Sequence, residues 1–157
     1  MPISQFIPKT ASQVIWLLIC GVSWHVPGAI LPESSQQVFA SEWRVQFSMC
    51  GSGRRHTCVV DGDTIWLEGK NLRLQSFDTP EPYNDICGGA QEVALAKRAS
   101  ARLLDLLNSY PFTVETHGED RYDRTLATIR IAGQDVGDIL IAEGLARRWP
   151  NGDEFWC

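Results

Sequence analysis

From Trp43 onward, apolar and polar positions alternate in short runs. "WRVQFSM", "HTCVV", "TIWLEG" and "NLRLQSF" are rich in β-branched and aromatic residues and read as strands. Between the last two, Glu68-Gly69-Lys70-Asn71 predicts a hairpin turn, with Gly69 and Asn71 as the residues that tolerate positive φ. Pro80 and Pro82 stop any strand after Phe77. The pattern then becomes helical. In "QEVALAKRASARLLDLLN", Leu95, Ala99, Leu103, Leu106 and Leu107 share one face, and Glu92, Lys97, Arg98 and Arg102 occupy what reads as a solvated face. Pro111 ends this helix, and strands follow at "FTVETH" and "TLATIRIA". Asp135 is placed to cap a second helix, with Asp138 three residues on and Val136, Ile139 and Leu140 as its apolar stripe. "LARRW" reads as a closing strand. This order predicts an α+β fold: a five-stranded OB-fold-type β-barrel with two to three helices.

The first 40 residues have a different character. A single Lys9 precedes the apolar run "VIWLLICGVSW", which is shorter than the roughly 20 residues a spanning helix needs. The expected division is a signal-like leader over 1–40 and a folded domain over 41–157. That implies export, periplasmic or secreted, or tethering to the membrane by an uncleaved leader, with no stable membrane span. Two candidate cleavage points, "LLIC" ending at Cys20 and "VFA" ending at Ala40, are both imperfect. Setting Cys20 aside with the leader leaves Cys50, Cys58, Cys87 and Cys157. An even count in an exported chain suggests two disulfides, and Cys50–Cys58 with Cys87–Cys157 is the favoured pairing of three. Zinc binding is the rival reading, weakened by the lack of any CxxC spacing. A formal charge of −5 argues against general electrostatic binding of nucleic acid but leaves room for a local basic site.

The chemistry-bearing residues crowd into "VVDGDTIWLEGKNLRLQSFDTPEP". Asp61 and Asp63, two apart, point to one side of an extended chain, and Gly62 allows a close backbone approach to a ligand. Paired carboxylates suit a hard cation such as Ca²⁺, although the tripeptide alone reads better as a solvated turn. Asp78 ends a strand, and Thr79, held extended by Pro80, offers its carbonyl oxygen. Glu81 follows. If the strand ends meet, these carboxylates repel one another unless a cation joins them. Arg73 alternates with Leu72 and Leu74, and Arg124 precedes an apolar strand. Each arginine alone reads as a surface ion-pair partner. Together beside such a cluster they suit a phosphoryl group, because the guanidinium fork matches phosphate oxygens.

Three blocks, "VVDGDTIWL", "LRLQSFDTPE" and "DRYDRTLA", with the helix between them and "VGDILIAEGLA", resemble the staphylococcal nuclease-like (thermonuclease) family over about Cys58–Trp149. The resemblance implies an OB-fold barrel carrying a Ca²⁺-dependent phosphodiesterase site that cleaves DNA and RNA at the 5′-side P–O bond. By motif position, Asp63 and Asp78 correspond to direct Ca²⁺ ligands and the Thr79 carbonyl to a third, with Asp61 acting through water. Glu81 corresponds to the general base, and Arg73 and Arg124 to the two phosphate-gripping arginines. The implied partner is a nucleic-acid substrate, single-stranded DNA or RNA first, acted on by a monomer.

The sequence also departs from the family. "PYNDICGG" after Glu81 is short and lacks lysines, and Asp123 stands where a glycine commonly precedes the second arginine, placed to pair with Arg124 or Arg121. No long basic helix follows the last strand, and Trp149 is a candidate substitute for base-stacking tyrosines, although it reads better as a core or rim aromatic. These departures keep a second reading open: a non-catalytic OB-fold binding module for nucleic acid or a protein partner.

Overall fold

A computed structural model describes residues 41–83 and 87–157. The leader expected over 1–40, with Cys20, lies outside the described residues. The polypeptide first forms β1 (Ser48–Met49), β2 (Cys58–Val59), β3 (Thr64–Leu67) and β4 (Lys70–Leu74). The β3–β4 turn is built on Glu68 and Gly69, both at positive φ (48° and 81°), the backbone of a two-residue hairpin turn. Asn71, expected in that turn, is instead a β4 residue paired with Trp66. β5 (Phe77–Asp78), the long helix α1 (Gly89–Ser109), β6 (Phe112–Glu119), β7 (Thr125–Ile131), β8 (Gln134–Asp135), helix α2 (Val136–Ala142) and β9 (Arg147–Arg148) complete the order.

The main sheet runs β1-β2-β3-β4-β7-β6, with β8 paired to β7, and β5 pairs with β9 separately. Taken alone, β2, β3, β4, β6 and β7 fall in the spatial order first, second, third, fifth, fourth. The parallel β4–β7 pair makes the sheet mixed. "WRVQFSM" forms much less strand than its composition predicts: only Ser48–Met49, plus a bridge from Trp43 to Phe112. That bridge matters to the architecture. Trp43 and Phe112 exchange two backbone hydrogen bonds (2.7 and 3.2 Å), so the segment leading into one edge strand touches the opposite edge. The sheet is therefore curled, a half-barrel of OB type, and the predicted α+β class with two helices stands.

The concave side holds the core. Ala96, Ala99, Leu103, Leu106 and Leu107 of α1 are buried with Val59, Ile65, Leu72, Leu74, Phe112 and Ile129. Each fully buried leucine contributes about 1.5–3 kcal/mol relative to an exposed one. α2 begins as predicted, with the Asp135 carboxylate accepting from the Gly137 N–H at 2.8 Å. Gly137 lets α2 sit on β5, because a Cβ there would come within 2.2 Å of the Phe77 ring. Phe77, buried at this contact, fixes the strand whose next residue is Asp78. Among the described residues, no helix is long and apolar enough to cross a membrane.

Candidate active site

The site grows from the ends of β3, β4 and β5. Asp61 closes a tight turn: its Oδ1 accepts from the Asp63 N–H at 3.2 Å, and Val60 N–H reaches the Thr64 carbonyl at 2.9 Å. Gly62 is required here by packing. A Cβ on it would lie 2.7 Å from Thr79 Cγ2 and 2.9 Å from Ala99 Cβ, so the turn is pressed against α1 and the Thr79 segment. Asp63 consequently points inward and is only 6% exposed. Its Oδ2 accepts from both the backbone N–H and the hydroxyl of Thr79, each at 3.1 Å. That bridge locks the "DGD" turn to "DTPE".

Arg73 joins the carboxylates. Register places it opposite Thr64. Its Nη1 lies 2.5 Å from Asp63 Oδ1 and donates to the carbonyls of Asp63 and Leu74 at 3.3 and 3.1 Å. Its Nη2 donates to Asp78 Oδ1 at 3.1 Å. The guanidinium thus spans Asp63 and Asp78, the two carboxylates expected to hold a cation. Burial raises the Asp63 carboxyl to a pKa of about 7; Arg73 opposes this, and Asp61 and Asp78 add to it. Glu81, on the exposed rim, also has a raised pKa, from partial burial and then from Asp61 and Asp78, opposed by Arg73. Four expected carboxylates therefore share one electrostatic neighbourhood.

Arg124 sits in the turn between β6 and β7. Asp120 organises that turn, accepting from the backbone N–H groups of Tyr122 (2.9 Å) and Arg124 (3.0 Å) and from the Arg124 side chain (Nε 2.8 Å, Nη2 2.7 Å). Burial pushes the Asp120 carboxyl up, but these bonds outweigh it and hold it below its usual range. The expectation that Asp123 pairs with Arg124 or Arg121 is corrected: Asp123 is exposed, occupies the left-handed region (φ 61°) and forms neither ion pair, and Asp120 is the partner of Arg124. Arg73 and Arg124 line one cleft of about 430 Å³, together with Arg121, Tyr122 and Trp149.

Two residues at the site escaped the sequence reading. Arg147, left within "LARRW", is the register partner of Asp78 across β5–β9 and clamps its Oδ2 through Nε (3.1 Å) and Nη2 (2.9 Å). Glu92, assigned to a solvated face, is fully buried. Its carboxylate accepts from the backbone N–H groups of Gly88 (2.8 Å), Cys87 (3.3 Å) and Glu81 (3.3 Å), which hold its pKa below the usual range. It satisfies the Gly88 N–H at the start of α1 and fastens the Glu81 segment to the helix. The cysteines pair as predicted, Cys50–Cys58 and Cys87–Cys157.

Residues 71–154 match the family described as staphylococcal nuclease homologue. The chain belongs to this family. It is 39% identical over 92 residues to the succinoglycan biosynthesis protein ExoI of Rhizobium meliloti (strain 1021), covering 56% of this chain and 48% of that protein. It is 28% identical over 104 residues to an uncharacterized endonuclease of Haemophilus influenzae (strain ATCC 51907 / DSM 11121 / KW20 / Rd), covering 60% and 53%. The chain spans about half the length of the curated relatives it matches. In this staphylococcal nuclease homologue the matched span carries Arg73, Asp78, Thr79, Glu81, Arg124 and also Arg147. Asp61 and Asp63 lie just ahead of it and join the site through the hydrogen bonds to Thr79 and the ion pair to Arg73.

The donor set suits a hard cation. Asp63, Asp78 and the Thr79 carbonyl offer oxygen only, and the carboxyls of Asp63 and Glu81, raised first by burial and further by their carboxylate neighbours, would ionise more readily beside added positive charge. Among the described residues, no three His, Cys, Asp or Glu side chains converge tightly enough to enclose an ion by themselves. A cation here would complete its shell with backbone carbonyl and water.

Proposed function

We propose that the chain is a Ca²⁺-dependent phosphodiesterase that hydrolyses nucleic acid, with single-stranded DNA or RNA as the preferred substrate. Family membership and the relative named an endonuclease support the nuclease class. The observation that carries the mechanism is the bridge Asp63–Arg73–Asp78, with Glu81 beside it and Arg124 on the same cleft. Asp63, Asp78 and the Thr79 carbonyl would hold Ca²⁺, with Asp61 acting through water. When bound, Ca²⁺ supplies charge stabilisation to a phosphate oxygen.

The chain's own groups do the rest. Arg73 has five N–H donors, and its recorded bonds leave the Nε–H and one Nη2 hydrogen for a phosphate. Arg124, which lines the cleft, commits Nε and Nη2 to Asp120, and its bonds to that carboxylate do not use Nη1. Both cations face the charge that builds on phosphorus during attack. Glu81, made more basic first by partial burial and then by its carboxylate neighbours, accepts a proton from the attacking water. The water oxygen forms the new P–O bond; the departing sugar oxygen leaves with its electron pair and takes a proton from solvent. Two disulfides fit an exported protein working as a monomer in an oxidising compartment.

The test is cleavage of labelled single-stranded DNA and RNA with Ca²⁺ or with a chelator. Turnover is expected only with Ca²⁺, and Glu81→Gln and Arg124→Ala should each lower kcat about 10²–10³-fold with the circular dichroism unchanged. Binding without metal-dependent turnover, insensitive to Glu81→Gln, would instead establish the non-catalytic module, a reading favoured by the engagement of both arginines with carboxylates.

A further inference from the structure

Arg147 does not line the cleft that holds Arg73 and Arg124, yet it touches the site at Asp78. Arg73 takes Asp78 Oδ1 from one side and Arg147 takes Oδ2 from the other, so this carboxylate cannot rotate. Arg147 is itself braced. Its Nη1 donates to the Gly152 carbonyl at 2.9 Å, and its Nη2 lies 2.6 Å from Glu154 Oε1. Its guanidinium lies 5.2 Å from the Trp149 ring centroid and 5.8 Å from that of Trp156, and its side chain is only 10% exposed. A merely solubilising arginine would not be enclosed on every side.

We propose that Arg147 is a positioning residue that fixes Asp78 for catalysis while holding down the site's affinity for the cation. This rests on the reading that Asp78 faces Ca²⁺. Two opposed effects follow from one contact. Pinning Oδ2 leaves Oδ1 on the Arg73 guanidinium that also holds Asp63, so the two carboxylates are tied to one group before any cation arrives. The same positive charge, a few ångströms from the ligand oxygens, repels a divalent cation. With an effective dielectric near 20, that repulsion is still felt at this range. Arg147 thus trades affinity for geometry, and Glu154 and Gly152 keep it in place.

The experiment pairs calorimetric titration of the whole chain with Ca²⁺ alone against kcat on single-stranded DNA. Arg147→Met should bind Ca²⁺ about tenfold more tightly, as expected for removal of a nearby like charge, and turn over about tenfold or more slowly. Arg147→Lys should return the affinity to the wild-type value but recover only part of kcat, because an ammonium lacks the fork. Glu154→Gln loosens the brace without touching Asp78 and should lower kcat less than Arg147→Met does. Loss of affinity and turnover together in Arg147→Met and Arg147→Lys would mark a structural role and overturn the proposal, as would unchanged affinity in Arg147→Met. A wild-type chain that cleaves with Ca²⁺ while Arg147→Met leaves affinity unchanged would leave the nuclease reading standing and sink this one. Tighter binding by the variant with no wild-type turnover would sink the nuclease reading and the catalytic half of this proposal, leaving only the effect of Arg147 on cation affinity.

Discussion

At the scale of single residues, Asp63 is the side chain whose charge the fold resists most. Its native pKa of about 7 lies above the ordinary 3.8, chiefly because it is buried. Between those values the native state holds a proton that the unfolded chain has released, so this group's contribution to stability falls as pH rises from about 4 through 7. A bound cation removes the penalty by stabilising the ionised form. Without Ca²⁺, Asp63→Asn should therefore melt at a higher temperature than the wild type at about pH 8 and lose that advantage near pH 4. Saturating Ca²⁺ should raise the wild-type Tm by about 4 °C or more near pH 8 and by less near pH 5, and should leave Asp63→Asn nearly unmoved. Thermal unfolding across this range, with chelator and with Ca²⁺, decides the matter. A wild-type advantage over Asp63→Asn that grows with pH in chelator would refute the assignment of this strain to Asp63.

At the scale of elements, the helix α1 shows both what was readable and what was not. Its apolar stripe is plain in the sequence, and Ala99, Leu103, Leu106 and Leu107 are buried as their spacing predicts. Extending the buried positions back from Ala96 by one turn lands on Glu92, so the periodicity did point at this residue, but its charge argued for the outside. The three backbone N–H groups that make its burial tolerable come from Glu81, Cys87 and Gly88, and only the folded loop supplies them. Arg147 was hidden for a similar reason. Its role depends on the β5–β9 register, a non-local pairing that no short-range pattern encodes. Asp61, Asp63, Arg73 and Asp78 were readable as neighbours because they lie on or beside one hairpin, whereas Arg124, in the β6–β7 turn, was reached only through the family resemblance. For Glu92, the structure predicts a positional effect on catalysis. Glu92→Ala should lower kcat about tenfold or more by freeing the Glu81 backbone, while KM for a short oligonucleotide stays close to the wild-type value. Equal kcat in the two proteins would show that Glu92 serves the helix alone.

At the scale of the whole molecule, the two disulfides divide the work unequally. Cys50–Cys58 closes a separation of 8 residues within the β1–β2 region, whereas Cys87–Cys157 spans 70 and ties the last residue to the start of α1. Loop-closure entropy puts the first at about 2.5 kcal/mol and the second at about 4 kcal/mol. The longer bridge also bears on the site. The C-terminal segment it anchors packs so closely on the α1 entry that a Cβ at Gly88 would sit 1.9 Å from the Trp156 carbonyl oxygen. The same segment carries Glu154 and Gly152, which hold Arg147, which holds Asp78. Replacing both Cys87 and Cys157 with serine should therefore lower Tm more than the same change at Cys50 and Cys58, and it alone should lower turnover at temperatures where both variants remain folded. Differential scanning calorimetry with initial rates on single-stranded DNA tests both halves. If the two double variants lose turnover alike, the C-terminal segment has no special hold on the site, and its bridge acts on stability only.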